Sequence, residues 1–165
     1  MGLFKFQQST SGQELTLELS GRIEEGARFP VVEDPSVKKI VFDLKGLEYI
    51  NSLGIRDWVS WIEPLSEKYQ LSMRNCPKRL VHQFNMVNGF LPKGTQVTSL
   101  FVPYFCEKCD FEESFLYHVG KEIKLEAGIV TLKVDMSKFK DCKDSDCGLE
   151  LDGSESKYFQ FLKQL

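Results

Sequence analysis

Histidine is scarce in this chain of 165 residues, which has only two, His82 and His118, and neither has a visible catalytic partner in the sequence. GxSxG, HExxH, Walker and dinucleotide-binding patterns are also missing, so the sequence offers no recognisable catalytic machinery and a non-enzymatic role is expected. Apolar stretches are short and broken by charge, Pro or Gly, and none approaches the roughly 20 residues needed to cross a bilayer. From Met1 to Gln8 there is no basic segment leading into an apolar run and no small-residue cleavage site, which makes a cytoplasmic protein the expectation. Excess positive charge is lacking too: the net charge is −3. Broad electrostatic binding to nucleic acid or anionic lipid is therefore not expected. Five cysteines are too few, and odd in number, for a secreted disulfide scaffold, which leaves metal ligation or buried thiols.

What is present divides near residue 102. Residues 1 to 101 carry 12 Lys and Arg against 11 Asp and Glu, whereas residues 102 to 165 carry 9 against 13. In the first part, Glu14 to Leu19 alternates polar and apolar residues as a half-buried strand does, and Phe4 and Phe6 suggest a partner strand before it. The stretch through Pro30 and Pro35 reads as a loop or a short surface helix. Val37 to Leu44 is β-branched and nearly continuous, like a strand buried on both faces. Ile55, Trp58, Val59, Ile62 and Leu65 then form a helical stripe, whose last turn Pro64 is expected to bend or shorten.

Gln70 to Arg74 reads as a short strand. A second helical stripe follows, Leu80, Val81, Phe84 and Val87, opening at Pro77 and closed by Asn88-Gly89. Gln96 to Val102 gives a last strand. The implied fold class is α/β, with a sheet carrying its helices on one face. The second part is expected to be a small antiparallel unit, with strands around Phe111 to Tyr117 and Ile129 to Val134. A short closing helix capped by Ser154 would place Tyr158, Phe161, Leu162 and Leu165 on one side.

Two constellations carry chemistry. Cys106 and Cys109 are separated by two residues, Cys142 and Cys147 by four, and 32 residues lie between the pairs. Thiolates at these spacings can converge on one tetrahedral structural Zn²⁺. A redox-active pair at Cys106 and Cys109, buried structural thiols, or His118 in place of one cysteine are the alternatives. Asp141, Asp144 and Asp146 do not have the spacing of a calcium loop. Asp43, at the end of a buried strand, has no partner carboxylate in view, and Cys76 reads as a core thiol.

The second constellation is Tyr49-Ile50-Asn51-Ser52-Leu53-Gly54-Ile55, a turn feeding a helix N-terminus, where unpaired N–H groups and the helix dipole favour negative charge. Either Asn51 or Ser52 suits the cap. Trp58 belongs to the core stripe, while Trp61 at its margin could anchor an interface, with Arg22 and Arg56 nearby.

The segments Leu17 to Ile23, Ile40 to Leu44 with Gly46-Leu47 after it, and Ile50 to Ile55 occur in the order seen in STAS domains, and residues 1 to 101 resemble that family. Its members include bacterial anti-sigma factor antagonists and a small subunit of bacterial lipid-transport complexes. The resemblance implies a bacterial signalling or scaffolding protein that binds a partner through Asn51, Ser52, Leu53, Gly54, Arg56 and Trp61. In the antagonists the aligned serine is phosphorylated by a kinase that is also the anti-sigma factor, which makes Ser52 the phosphoacceptor candidate. Asn51 stands where that family has Asp, and Leu53 where it has Ser or Thr. A constitutive subunit of a transport ATPase is the other role the resemblance implies. Residues 102 to 165 are expected to form a zinc ribbon.

Overall fold

A computed structural model describes residues 2–134 and 147–163 of the chain. Cys142, Asp141, Asp144, Asp146 and Leu165 lie outside the described residues. The fold is mixed α/β. β1 (Lys5–Ser11) and β2 (Glu14–Ile23) form an antiparallel hairpin; β3 (Lys39–Ile50), α1 (Ser52–Lys68), β4 (Gln70–Arg74), α2 (Lys78–Met86) and β5 (Gln96–Val97) follow. These five strands lie side by side in chain order, with β2 to β5 parallel. Two crossovers advancing in the same direction with the same hand place α1 and α2 on one side.

Register explains which side is buried. Leu15, Ile40 and Leu71 share one row, and Leu17, Phe42, Met73 and Val97 the next, all in the core. The alternate rows join Glu14 to Lys39 and Glu18 to Asp43 and Arg74, so the opposite face is largely polar. Two register shifts against β2 bend the long β3, and Leu47 still reaches the core beyond them.

Helix α1 runs through Pro64 to Lys68, so its last turn is not shortened there. Pro64 is exposed, and its ring faces water rather than packed neighbours. Trp58 is buried and its Nε1–H donates to the Phe90 carbonyl at 3.0 Å. The segment between β2 and β3 is a loop without a helix, fixed by aromatic contacts: Phe29 stacks on Trp61 at 4.6 Å and meets Phe4 at 5.1 Å.

The stretch read as one strand, Gln96 to Val102, is two. β5 ends at Val97, and after Thr98 the chain starts β6 (Ser99–Cys106), the centre of a second, antiparallel sheet with β7 (Phe111–His118) and β10 (Glu150–Leu151). Pairing, which a local hydrophobic pattern does not report, makes the change. Thr98 N–H still bonds to Met73, whereas from Ser99 onward the chain passes Cys76 and pairs with β7. The division expected between residues 101 and 102 falls inside β6, and Leu80, Phe84, Tyr104, Tyr117, Tyr158 and Phe161 belong to one apolar cluster. A hairpin of β8 (Ile123–Glu126) and β9 (Ile129–Leu132), the short helix α3 (Glu155–Tyr158) and a 3-10 turn (Gln160–Lys163) complete the described chain.

Close backbone approach accounts for Gly54. A Cβ there would lie 2.2 Å from the Ile23 carbonyl oxygen, and that carbonyl also accepts from Asn51 N–H at 3.2 Å. The start of α1 is thus pressed onto the end of β2. Gly54→Ala should destabilise the protein by about 2 kcal/mol or more through forced separation of these backbones. Ser52→Ala, at an exposed position two residues away, should change stability by less than about 0.5 kcal/mol. Urea unfolding of the two variants checks the contrast.

Candidate metal centre and the α1 surface

Cys106 is the last residue of β6 and is buried at 1% exposure. The chain then turns through 107–110, with Asp110 at φ 52°, a left-handed conformation that a short Asp side chain tolerates. This reversal swings Cys109 back beside Cys106. Cys147 arrives from the other edge: Glu150 and Leu151 pair antiparallel with Phe105 and Tyr104, so the residues before β10 overhang the turn. The three sulfur atoms lie within 4.8 Å of one another. Three thiols at that separation can hold a metal ion, and soft thiolate donors select ions such as Zn²⁺, Cu⁺ or those of iron–sulfur clusters. The fourth sequence-predicted ligand, Cys142, lies outside the described residues.

His118 does not belong to this cluster. It ends β7, seven residues from Phe111, the partner of Cys106, which along an extended strand is roughly 20 Å away. Its Nδ1 instead faces Glu122 at 3.4 Å. The alternative in which His118 replaces a cysteine is therefore excluded by topology. Cys106 and Cys109 sit at a strand end and in a hairpin turn, not at the helix N-terminus that a redox-active pair of this spacing opens. Cys76 is fully buried, and burial, together with the nearby Asp43 charge, pushes its thiol far up.

No protein-family model matches the chain, and no curated protein matches it significantly.

The second predicted surface surrounds the start of α1. Asn51, not Ser52, is the cap: its side-chain oxygen accepts from Gly54 N–H at 2.8 Å. Ser52 is the first helical residue and is exposed. Leu53 and Tyr49 beside it are exposed apolar side chains, at 39% and 40%. Arg56, one turn along, is also exposed and pairs with its neighbour Asp57. Arg22 lies over the Tyr49 ring at 4.5 Å and bonds to Glu24. Trp61 is half-buried and engaged within the chain. Its ring stacks on Phe29, and its Nε1–H donates to the Pro30 carbonyl at 3.0 Å, so its observed work is to hold the loop before β3.

Sequence reasoning missed a polar joint at the end of β4. Asp43 accepts from Arg74 Nε at 2.9 Å, from Asn75 Nδ2 at 2.9 and 3.0 Å, and from the backbone of Lys45 at 3.2 Å. Asn75, at φ 54°, in turn receives Ser99 Oγ–H on its Oδ1, and its own N–H donates to Ser99 Oγ. Burial alone would raise the Asp43 carboxyl. The hydrogen bonds from Asn75, Lys45 and Arg74, with the Arg74 charge, outweigh it and hold Asp43 below the usual carboxylate range. Its partners lie 31 and 32 residues away, and no local spacing signals them.

A depressed folded-state pKa stabilises above the unfolded value and ceases to do so as pH falls through the folded one. Asp43→Asn should accordingly be less stable than wild type at neutral pH. The gap should close as the pH drops below about 4, where the unfolded carboxylate is protonated. Denaturant midpoints measured from pH 7 down to pH 3 test this, and a gap constant across that range would contradict it.

Proposed function

We infer that the chain is a non-enzymatic interaction module that binds a protein partner through the Asn51–Trp61 surface, as its resemblance to STAS domains implies. The observation that carries this reading is the division of labour at the start of α1. Asn51 performs the capping, so the exposed Ser52 hydroxyl is not needed to hold the helix. Ser52 stands between exposed apolar side chains and beside N–H groups that a helix leaves without intrahelical partners. A phosphoryl group there would bring close to two negative charges within reach of those donors and of Arg56. It would also place that charge among Tyr49 and Leu53, where an apolar partner surface would have to lose it from water. Phosphorylation thus opposes binding, and the partner is a kinase-type anti-sigma factor or an ATPase-like subunit.

The thiol cluster has a structural part in this reading. Zn²⁺ held by Cys106, Cys109 and Cys147, with Cys142 as the fourth ligand supplied by the sequence, closes the tip of the second sheet and leaves no open coordination position. The position of Cys106 at a strand end favours this over thiol redox catalysis by Cys106 and Cys109.

Two experiments test these points. Capture from source-cell extract with wild type, Ser52→Ala and Ser52→Asp should retain a kinase-like or ATPase partner on the first two and lose it with the third. Retention by all three would leave a constitutive scaffold. Elemental analysis of purified protein should give one zinc per chain, and Co²⁺ replacement should give the spectrum of tetrahedral thiolate coordination. Free thiols with no bound metal would remove the zinc centre.

A further inference from the structure

The five-stranded sheet ends unevenly. On one side its last strand, β5, has two residues; on the other, β1 has seven, paired with β2 without a register shift and exposed along their whole length. Edge strands of this length are normally protected from further pairing by proline, a bulge or several charges. Lys5-Phe6-Gln7-Gln8-Ser9-Thr10-Ser11 has neither proline nor bulge, and its one charge, Lys5, stands at its end. The other long edge strand, β7, carries Glu112 and Glu113, like charges that oppose the same kind of pairing.

Hairpin geometry decides which backbone groups of β1 are open. The chain turns into β2 through Gly12, at φ 58°, and Gln13, and the strands close on Ser11 paired with Glu14. In a two-residue hairpin the closing pair exchanges both its hydrogen bonds, and bonded and non-bonded pairs alternate from there. Lys5, Gln7, Ser9 and Ser11 therefore direct their N–H and C=O toward β2, whereas Phe6, Gln8 and Thr10 direct theirs to the open side. Side chains alternate in the same rhythm. Phe6, Gln8 and Thr10 share a face with their core partners Leu19, Leu17 and Leu15, and Lys5 and Ser11 lie on the polar face with Ser20 and Glu14.

We propose that β1 is a homodimer edge, to which a second copy of this chain adds its own β1 antiparallel about a two-fold axis at Gln8, joining the two five-stranded sheets into one. Outward-facing residues must meet outward-facing residues, so Gln8 pairs with Gln8 of the second copy and Phe6 with its Thr10, each pair exchanging both its hydrogen bonds. This register is self-complementary on both faces. On the core side Leu19 and Phe6 fall in one row with Thr10 and Leu15 of the second copy, so the Phe6 ring, 39% exposed, gains an apolar neighbour. On the polar side Lys5 lies opposite the small Ser11 of the second copy, with Glu14 one strand further on. Two strand spacings, about 10 Å, are covered by extended Lys and Glu side chains together. Glu14 is 44% exposed beside Lys39 and has room to accept the second cation. Symmetry makes this charge pairing twice. The two-residue edge at β5 offers no comparable site, so the joined sheet stops at the dimer. The contact is smaller than a standard interface, which puts its dissociation constant on the order of 0.1 mM. No β1 residue belongs to the Asn51–Trp61 surface, so the dimer stands or falls independently of the proposed function.

The test is analytical ultracentrifugation of the full chain in reducing buffer, so that no disulfide joins two copies, from low micromolar to about 1 mM, with amide exchange followed by NMR at both ends of the range. A reversible monomer–dimer equilibrium is expected. At the highest concentration the Phe6, Gln8 and Thr10 amides should exchange about fivefold more slowly, the factor set by the fraction left monomeric, while Gln7 and Ser9, already bonded to β2, stay as they were. Lys5→Glu should weaken association about tenfold, by setting like charges across the two-fold, and Ser11→Lys should weaken it through Lys5 of the second copy. The double variant Lys5→Glu, Ser11→Lys should restore it. Positions 5 and 11 are roughly 20 Å apart along one strand, so that rescue acts only between chains. A chain that stays monomeric throughout would overturn the proposal. A dimer indifferent to the single substitutions, or not restored by the pair, would place the contact elsewhere and overturn it as well, and assemblies growing beyond the dimer would overturn the closed two-fold.

Discussion

The strand Ser99–Cys106 is the element on which the rest of the architecture depends. Its first residues are hydrogen-bonded beside Cys76, where the parallel sheet ends: Cys76 N–H donates to the Ser99 carbonyl at 3.1 Å and Phe101 N–H to the Cys76 carbonyl at 2.9 Å. Its last residue is a ligand candidate in the thiol cluster. A strand allows little bending without a bulge, so the position of Cys106 relative to the first sheet is set by backbone pairing alone. The Asp43, Arg74, Asn75 and Ser99 network fastens the near end of this strand. A metal ion would fasten the far end, and the apolar core runs continuously between them.

That arrangement explains why the two halves of the chain, so different in charge and cysteine content, share one interior. Tyr104 and Tyr117 point from β6 and β7 into the same cluster as Leu80 and Phe84 of α2, and their hydroxyls meet at 3.1 Å within it. Removing either hydroxyl would take this hydrogen bond out of a buried apolar cluster. The pair therefore specifies how β7 sits on β6 as well as stabilising it. The start of α1 is held with comparable strictness, because Gly54 and Asn51 both address the Ile23 carbonyl, one by close approach and the other by a hydrogen bond. The Ser52 surface and the thiol cluster are thus each fixed by backbone geometry, at separate places on one rigid core.

Much of this was legible from local pattern. The stripe from Ile55 to Leu65 has a helical period and forms α1. The β-branched run at Val37 to Leu44 supplies the centre of the sheet, with β3 beginning at Lys39, and the two-residue cysteine spacing is realised in a hairpin turn. Legibility failed where pairing partners decide the outcome. Gln96 to Val102 contains no Gly, Pro, Asn or Asp, so nothing within it marks Thr98 as the point where the chain changes sheets. Glu150 and Leu151 are too few to show alternation, although they carry Cys147 to its place. Phe159 lies off the expected helical face, yet it is fully buried because α3 ends at Tyr158 and tightens into a 3-10 turn. The stacking of Trp61 on Phe29, 32 residues earlier, is likewise not signalled by its place at the stripe's edge.

A general distinction follows from Asn51 and Asn85. Asn51 caps α1 and Asn85 lies within α2, and both use the side-chain amide on backbone groups, but their sequence signals differ. Asn51 precedes a hydrophobic periodic segment, the position where helix-capping residues are expected, and its partner is three residues away. Asn85 lies in the last turn of α2, where Asn has low helix propensity, and its partners are 73 and 76 residues away. A residue that is locally unfavourable and globally satisfied marks a place where tertiary contact, not helix formation, chose the side chain. In this chain that mark falls on the side of α2 covered by Tyr158 and Phe161, where the last described residues close over the core.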